Sequence, residues 1–211
     1  MENYLDLKND INYSKLEIPA QIINKGGIVI FPTETVYGIG VNGLNEKAIK
    51  KLYEVKKRPL NKPISLLVSN MKMVNEIAKD ISDLEYKLME NFCPGPFTLV
   101  LKKKDIVPDI LTSNGQYVGV RMPDEEIARK LIEYAKVPLA TSSANIAGMP
   151  SGTNLENIIK DFEGKIDYFI DGGEAKIGIA STVVKVIDGV PQILRQGSIT
   201  KEQIENVINS K

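Results

Sequence analysis

Short apolar segments alternate with helix-like segments along this chain, and that alternation constrains the fold more than any other feature of the sequence. Residues 28–31 are continuously apolar and residues 64–68 nearly so, which is typical of strands buried on both faces of a sheet. The other strand candidates are residues 97–101, 118–121, 138–141, 168–170, 182–186 and 192–194. The pattern predicts an α/β or mixed α+β fold, with a mixed β-sheet flanked by helices.

Helices are predicted between these strands. Residues 16–25, 45–56 and 124–134 have helical character, and Gly26 followed by Gly27 ends the first of them. Three further starts are predicted by the capping-box spacing, in which Ser or Thr is followed three residues later by Glu or Gln. These pairs are Ser82 with Glu85, Thr153 with Glu156, and Thr200 with Gln203.

The 211 residues show no repeat or linker that divides the chain. We therefore predict a single domain over residues 1–211, with a motif-bearing core over about residues 16–197 and a C-terminal helix over about residues 200–209. No segment approaches the roughly 18 consecutive apolar residues of a membrane span, and the N-terminus is charged where a signal peptide is apolar. These features predict a cytoplasmic protein with no membrane contact.

The chain contains no histidine and one cysteine. It therefore has no Ser-His-Asp or Cys-His nucleophile system, no histidine base and no histidine-ligated zinc. Basic and acidic residues number 27 each, and the net charge of zero argues against broad nucleic-acid binding. Any catalysis must use other groups.

Gly38, Gly40 and Gly43 have the spacing of a dinucleotide-binding motif. They follow a polar loop instead of leading directly from a strand into a helix, and the next strand candidate has no acidic residue for a ribose. Glycines that allow a loop to turn tightly explain the pattern better.

A basic loop is the first candidate site. Lys56, Arg58 and Lys62 lie beside Pro59 and Pro63, which stop any helix and fix the loop. Fixed cations of this kind favour an anion or phosphate site. A solvated helix face better explains the preceding lysines, which are Lys47, Lys50 and Lys51.

A second candidate site lies where two other strands end. Arg121 closes an apolar strand and suits a carboxylate or phosphate, although a structural salt bridge to Asp124, Glu125 or Glu126 explains it equally well. The segment 141–145 is rich in small hydrogen-bonding groups, but no G-x-S-x-G elbow supports a serine nucleophile there, which leaves a Ser-Lys pair as the remaining nucleophile system. Cys93 is interpreted as a small packed residue.

Six segments, in order along the chain, resemble the YrdC-like threonylcarbamoyl-AMP synthase family, in its single-domain form. They are residues 32–40 (PTETVYGIG), 56–63 (KKRPLNKP), 94–98 (PGPFT), 120–123 (VRMP), 143–145 (SAN) and 181–184 (STVV). The Lys-x-Arg and Ser-x-Asn segments are the most specific of these motifs. The resemblance runs from about residue 26 to about residue 197.

The resemblance implies a twisted sheet flanked by helices around a large positively charged cavity. It also implies a nucleotidyltransferase that joins L-threonine, bicarbonate and ATP into threonylcarbamoyl-AMP and pyrophosphate. Mg²⁺ would enter mainly through the ATP phosphates, with no metal ligands assigned on the protein. The product would supply the tRNA threonylcarbamoyl transferase machinery, which modifies the adenosine beside the anticodon of ANN-decoding tRNAs.

Site roles follow from the matching motifs. The implied catalytic residues are Lys56, Arg58 and Lys62. The implied ATP-binding residues are Arg58, Lys62, Tyr117, Ser143, Asn145, Ser151 and Arg195. The implied threonine-binding residues are Thr35, Leu67, Arg121, Thr141 and Ser181. Leu67 departs from relatives that have histidine at this position. We expect the five cations Lys56, Arg58, Lys62, Arg121 and Arg195 to converge on one cavity.

Two alternatives remain at this point. A related domain occurs in the carbamoyltransferases of hydrogenase maturation, which carry out another carbamoyl-adenylate chemistry. An RNA-binding module that contacts tRNA or double-stranded RNA is the alternative from a different class, although an aromatic content of 6% offers few stacking platforms for bases. Consumption of ATP that depends on both threonine and bicarbonate would distinguish the synthase from the module.

Overall fold

One mixed β-sheet organises the molecule. In the computed structural model, which describes residues 3–8 and 11–210, the chain forms ten strands. They are β1 (Tyr4–Asp6), β2 (Val29–Phe31), β3 (Gly38–Asn42), β4 (Ser65–Leu67), β5 (Phe97–Lys102), β6 (Tyr117–Arg121), β7 (Leu139–Ser143), β8 (Tyr168–Asp171), β9 (Thr182–Ile187) and β10 (Val190–Arg195). The order across the sheet is β1-β8-β2-β3-β7-β4-β6-β5-β9-β10. Strands far apart in sequence are therefore neighbours.

Helices cover this sheet. They are α1 (Glu17–Asn24), α2 (Glu46–Val55), α3 (Met71–Ile77), α4 (Asp83–Phe92), α5 (Glu126–Ala135), α6 (Leu155–Phe162) and α7 (Lys201–Asn209), with short 3-10 helices at Tyr13–Leu16 and Asp109–Thr112. Helix α1 packs against α5, and α4 packs against α7. The predicted fold class, a mixed sheet flanked by helices, is confirmed.

Every strand predicted from an apolar segment is present, with bounds that differ by at most two residues. Two of the three predicted capping boxes are also present, at Ser82 and at Thr200. The prediction at Thr153 is wrong by one residue, because Asn154 caps α6 by accepting a hydrogen bond from the Asn157 backbone N–H. Among the described strands and α-helices, three were not predicted, namely β1, β3 and α3, and neither 3-10 helix was predicted.

Gly38 and Gly40 of the apparent dinucleotide motif lie in strand β3, so their interpretation as turn residues is wrong, whereas Gly43 follows the strand in a turn as expected. Strand β3 pairs with β2 and β7, and a side chain on Gly38 or Gly40 would meet neighbouring strands. A Cβ atom on Gly40 would lie 2.9 Å from the Phe31 ring and 2.9 Å from Thr141 Oγ1. Glycine at these positions leaves room for the Phe31 ring to lie across the strand. The strand was not predicted because glycine has a low β-propensity.

The core extends on both sides of the sheet. Phe31, Tyr53, Phe97 and Phe162 are among its largest fully buried side chains. Each fully buried large apolar side chain stabilises the fold by about 1.5–3 kcal/mol. Among the described residues, no helix has the length and hydrophobicity to cross a membrane.

A buried acid joins the N-terminal strand to the rest of the sheet. Asp171, at the end of β8, accepts a hydrogen bond of 2.6 Å from the Tyr4 hydroxyl and lies 2.9 Å from Lys8 Nζ. Burial acts to raise the pKa of Asp171, but the bonds from Tyr4 and Lys8 prevail and hold it below its usual value. The Tyr37 hydroxyl lies 3.2 Å from the same carboxylate and donates to the Gly173 carbonyl. Residues at the start of the chain thus support the segment that contains Tyr37.

Replacement of Gly40 by alanine tests the packing of β3. The added methyl group collides with Phe31 and Thr141, so Gly40→Ala should lower the free energy of unfolding by about 1–3 kcal/mol in a urea titration. In a Phe31→Leu background the ring is absent, and the same substitution should cost less. Equal costs in the two backgrounds would show that the Phe31 ring is not what requires the glycine.

Candidate functional site

A cavity of about 530 Å³ lies on one face of the sheet. This volume is in the range of small-molecule sites. Its floor consists of alternate residues on neighbouring strands, because side chains two apart on a strand share a face. These floor residues are Ser65 and Leu67 of β4, Thr98 and Val100 of β5, Tyr117, Gly119 and Arg121 of β6, Thr141 and Ser143 of β7, and Val183 and Lys185 of β9.

The ionisable lining is entirely basic in the described part of the chain, apart from the tyrosines. Arg58, Arg121, Lys185 and Arg195 line the cavity, and no Asp or Glu does so. Hydroxyl groups of serine and threonine are most of the other polar groups in the lining. A lining of this kind can bind anions through charge and orient them through short hydrogen bonds.

Arg58 is fixed by the basic loop itself. Its Nε donates to the Lys62 carbonyl at 3.0 Å, and its Nη2 donates to the Pro63 carbonyl at 2.8 Å. The Tyr53 hydroxyl also donates to the Lys62 carbonyl. Burial lowers the pKa of Arg58, but the guanidinium stays charged at neutral pH. The predicted rigid loop is present, and it holds Arg58 at the cavity.

Arg195, at the end of β10, is held in a similar way. Its Nε and Nη2 donate to the Ser181 carbonyl at 3.2 and 2.8 Å, and Nη2 also lies 3.1 Å from Ser181 Oγ. The Ser181 hydroxyl in turn lies 2.7 Å from Thr98 Oγ1. Burial, together with the nearby charges of Arg121 and Arg58, lowers the pKa of Arg195. Arg195 therefore lies within electrostatic range of both Arg121 and Arg58.

Arg121 is 8% exposed and has a different ion-pair partner from those considered in the sequence. Its Nη2 lies 2.8 Å from Glu34 Oε1 and donates to Thr35 Oγ1 at 2.9 Å. Its Nε donates to the Gly95 carbonyl at 3.3 Å. A salt bridge to Asp124, Glu125 or Glu126 is the wrong alternative, because Glu34 approaches from a distant loop.

Lys56 lies behind the cavity wall. The side chain is 2% exposed, and Nζ donates to the Ser143 and Asn145 carbonyls, each at 2.5 Å. The Ser143 hydroxyl donates to Asn145 Oδ1 at 2.5 Å. Lys56 therefore joins the end of α2 to the loop after β7. Because its ammonium meets the backbone of Ser143 and not the hydroxyl, the geometry does not form a Ser-Lys nucleophile pair.

The cysteine is not a reactive group in this structure. Cys93 is half-buried, and burial raises the pKa of its thiol to about 11. The thiol is therefore protonated at neutral pH, as expected of a packed cysteine.

The structure brings most of the predicted site residues together. Those that line the cavity are Thr35, Arg58, Leu67, Tyr117, Arg121, Thr141, Ser143, Ser181 and Arg195. Those outside the lining are Lys56, Lys62, Asn145 and Ser151. Convergence of the five expected cations therefore holds for the arginines but not for the two lysines. Lys62 is exposed and contributes its carbonyl to the basic loop, whereas Ser151 is exposed beside Gly152.

Some site residues were not identified in the sequence. Lys185 lines the cavity, with Nζ 3.5 Å from the centre of the Tyr117 ring. Alternation within β9 contained a signal for it, since Val183 and Lys185 share the face opposite the buried Val184. Thr98 could be found in the same way on β5, but no local pattern reveals the contact between Glu34 and Arg121.

Comparison with known proteins identifies the family. A family model for Sua5, YciO and YrdC proteins, described as "Telomere recombination", matches residues 21–197. The chain belongs to the Sua5/YciO/YrdC family. The resemblance seen in the sequence motifs is thereby confirmed.

Named relatives support this membership. The threonylcarbamoyl-AMP synthase of Pyrococcus abyssi is 43% identical over 204 residues, which cover 97% of this chain and 60% of the relative. A putative threonylcarbamoyl-AMP synthase of Methanocaldococcus jannaschii is 40% identical over 199 residues, which cover 94% of this chain and 93% of the relative. The chain thus spans about 60% of the length of the first of these Sua5/YciO/YrdC relatives.

A solved structure shares the fold. The crystal structure of P. abyssi Sua5 complexed with L-threonine has a TM-score of 0.94 and 43% identity to this chain. The match covers 98% of this chain and 61% of that one. The described sheet and helices are therefore those of Sua5 family members.

The buried ammonium of Lys56 predicts a pH dependence of stability. Burial, with a smaller contribution from Arg58, lowers its pKa from 10.5 to about 7. Between these values the unfolded chain binds a proton that the folded protein lacks, so the free energy of unfolding should rise with pH. The rise should be up to about 1.4 kcal/mol per pH unit, and urea titrations between about pH 7 and about pH 8.5 would measure it.

Two variants isolate this contribution. Lys56→Met removes the titrating group and should flatten the rise, whereas Lys50→Met changes an exposed lysine on α2 and should leave it unchanged. Identical slopes for the wild-type protein and Lys56→Met would show that Lys56 titrates normally.

Proposed function

We propose that this chain is a threonylcarbamoyl-AMP synthase, which converts L-threonine, bicarbonate and ATP into threonylcarbamoyl-AMP and pyrophosphate. The observation that carries the proposal is the cavity lined by Arg58, Arg121 and Arg195 without an acidic side chain in the lining among the described residues. Two of its substrates are anions and the third contains a carboxylate. The names of the P. abyssi and M. jannaschii relatives support the same activity.

The reaction requires no nucleophile from the protein. Threonine and bicarbonate form an N-carboxylated amino acid with loss of water, and its new carboxylate attacks the α-phosphorus of ATP. The bond from that phosphorus to the bridging oxygen breaks, and pyrophosphate leaves with the electron pair. This fits a chain without histidine, in which the one thiol is protonated.

The main contribution of the protein is therefore to stabilise charge. Arg58, in the loop before β4, and Arg195, at the end of β10, both line the cavity, and we assign them to the ATP phosphates and the departing pyrophosphate. Donors fixed before the reaction lower the barrier because they need no reorganisation as charge develops. Backbone carbonyls hold both guanidinium groups, and no carboxylate among the described residues neutralises their positive charge.

The amino acid is assigned to the side of the cavity around Arg121. Its Nη2 is already occupied by Thr35 and Glu34, so Nη1 is the group proposed to receive the threonine carboxylate. Thr35, Thr141, Ser181 and Leu67 are proposed to complete this subsite. Tyr117 and Ser143, which also line the cavity, are assigned to ATP.

The predicted residues outside the lining receive narrower proposals. Lys56 would position the loop that contains Ser143 and Asn145, through the two carbonyls it contacts. Lys62, Asn145 and Ser151 would contact ATP from the rim of the cavity. Among the described residues, no carboxylate lines the cavity and no cluster of three or more potential metal ligands occurs. We propose that Mg²⁺ enters as part of the ATP substrate.

The biological setting is proposed from the same chemistry. The product is a mixed anhydride, so it would be consumed by a transferase that modifies tRNA, in the cytoplasm. The cavity gives no specific support to the alternative of an RNA-binding module. Among the described lining residues, Tyr117 is the one exposed aromatic side chain on which a base could stack.

Removal of one fixed cation tests the synthase proposal. Arg58→Ala should lower pyrophosphate release by at least about tenfold, because a barrier increase of roughly 1.4 kcal/mol corresponds to that factor. The assay should omit threonine, bicarbonate and ATP in turn, since release that depends on all three is expected of the synthase. Lys50→Met is the matched control, because it removes an exposed cation outside the cavity. Normal turnover by a folded Arg58→Ala protein would remove Arg58 from the site.

Serine provides a test of the amino-acid subsite. It differs from threonine by one methyl group, and an apolar contact with a methyl group is worth only about 1–3 kcal/mol. Serine as the sole amino acid should therefore support slow pyrophosphate release and should compete weakly with threonine. Strict exclusion of serine would show that the pocket discriminates by more than methyl contact.

A further inference from the structure

Glu34 is a buried acid beside the cavity that the proposed reaction does not use. It lies between Thr33 and Thr35, both of which line the cavity, and is 4% exposed. Its carboxylate stands behind Arg121, with Oε1 2.8 Å from Nη2 of the guanidinium. It is thus an acid in direct contact with a cationic group of the cavity lining.

The carboxylate of Glu34 is incompletely satisfied. Within the described part of the chain, both oxygens are buried and neither takes part in a well-formed hydrogen bond, so the approach to Arg121 is a charge contact. A buried ion pair is normally completed by further hydrogen bonds, because desolvation of a carboxylate is costly. A buried carboxylate that lacks hydrogen-bond partners at this position therefore points to a role beyond stability.

Arg121 is held from one side only. Gly95 accepts from Nε, while Thr35 and Glu34 contact Nη2. Among the described residues, Nη1 donates no hydrogen bond, and it is the part of the guanidinium left for a ligand. A ligand carboxylate at Nη1 would share Arg121 with the Glu34 carboxylate.

We propose that Glu34 is a specificity-determining residue that makes the Arg121 subsite select zwitterionic amino acids over simple carboxylates. This inference rests on the proposed function, in which Arg121 binds the threonine carboxylate. The Arg121–Glu34 pair carries no net charge, so a plain carboxylate would add an unbalanced negative charge beside Glu34. An amino acid brings an ammonium group that offsets the Glu34 charge.

The other cations do not remove this effect. Arg58 and Arg195 are assigned to the phosphates of ATP, whose net charge as the Mg²⁺ complex is balanced by the two guanidinium groups. Lys185, the other cation of the lining, lies over the Tyr117 ring. With ATP bound, the net charge around Arg121 is therefore determined by Glu34. Cys93, which lies near both Arg121 and Glu34, contributes no charge because burial raises the pKa of its thiol to about 11.

The experiment compares two ligands that differ only in the amino group. L-threonine is the zwitterion, and (R)-3-hydroxybutyrate has the same carboxylate and hydroxyl without the ammonium. The KM for threonine and the inhibition constant for (R)-3-hydroxybutyrate would be measured by pyrophosphate release with ATP and bicarbonate saturating. Titration calorimetry in the presence of a non-hydrolysable ATP analogue would measure both affinities without turnover.

Glu34→Gln removes the charge and keeps the shape. The ratio of the two constants, which expresses the preference for threonine, should fall by about tenfold, with most of the change in tighter binding of (R)-3-hydroxybutyrate. A purely structural role would weaken both ligands together and leave the ratio unchanged. An unchanged ratio in folded Glu34→Gln would overturn the inference.

Two further variants keep the test decisive. Glu34→Asp retains the charge and should retain the wild-type preference for threonine. This test stands even if Glu34→Gln does not fold. Loss of the preference in folded Glu34→Asp would contradict the role of charge. Glu133→Gln makes the same change on α5, outside this cavity, and should leave the ratio unaltered. If the wild-type protein neither binds threonine nor releases pyrophosphate, the proposed function fails first, whereas normal wild-type behaviour with an unchanged Glu34→Gln ratio overturns the inference alone.

Discussion

The site depends on how buried positive charges are held without being neutralised. Backbone carbonyls receive hydrogen bonds from the arginines of this region: Arg58 donates to Lys62 and Pro63, Arg121 to Gly95, and Arg195 to Ser181. A carbonyl dipole offsets part of the desolvation cost of a cation but leaves its full charge available to a ligand. Glu34 is the exception in the described structure, because it brings a full negative charge to Arg121.

The sheet supplies the geometry that this arrangement needs. Alternate side chains of β4, β6 and β7 face the same side, so Leu67, Arg121 and Thr141 meet although 74 positions separate the first from the last in the sequence. Strand pairing fixes their spacing, and the loops that follow the strands add hydroxyl groups at the edges. A reaction that takes its nucleophile from its own substrates suits such a floor, because the protein has only to hold charges at set distances.

Sequence patterns predicted the strands and the basic loop because both have local causes. Apolar segments identified the central strands, and Pro59 and Pro63 showed that Arg58 lies in a fixed loop. Strand β3 was missed because its glycines are required by the Phe31 ring, which belongs to another strand. The buried position of Lys56 depends on carbonyls almost 90 residues away, at Ser143 and Asn145, and no local pattern records such a contact. The Glu34–Arg121 pair was not predicted for the same reason.

Support of cations by the main chain also affects how this site tolerates change. At Lys62, Pro63 and Ser181 the group that holds an arginine is a carbonyl, which every amino acid possesses. Substitutions at these positions preserve the support as long as the local backbone keeps its path. Sequence identity therefore understates how similar two such sites are. A site of this kind is preserved by the path of its loops as much as by the side chains that face the ligand.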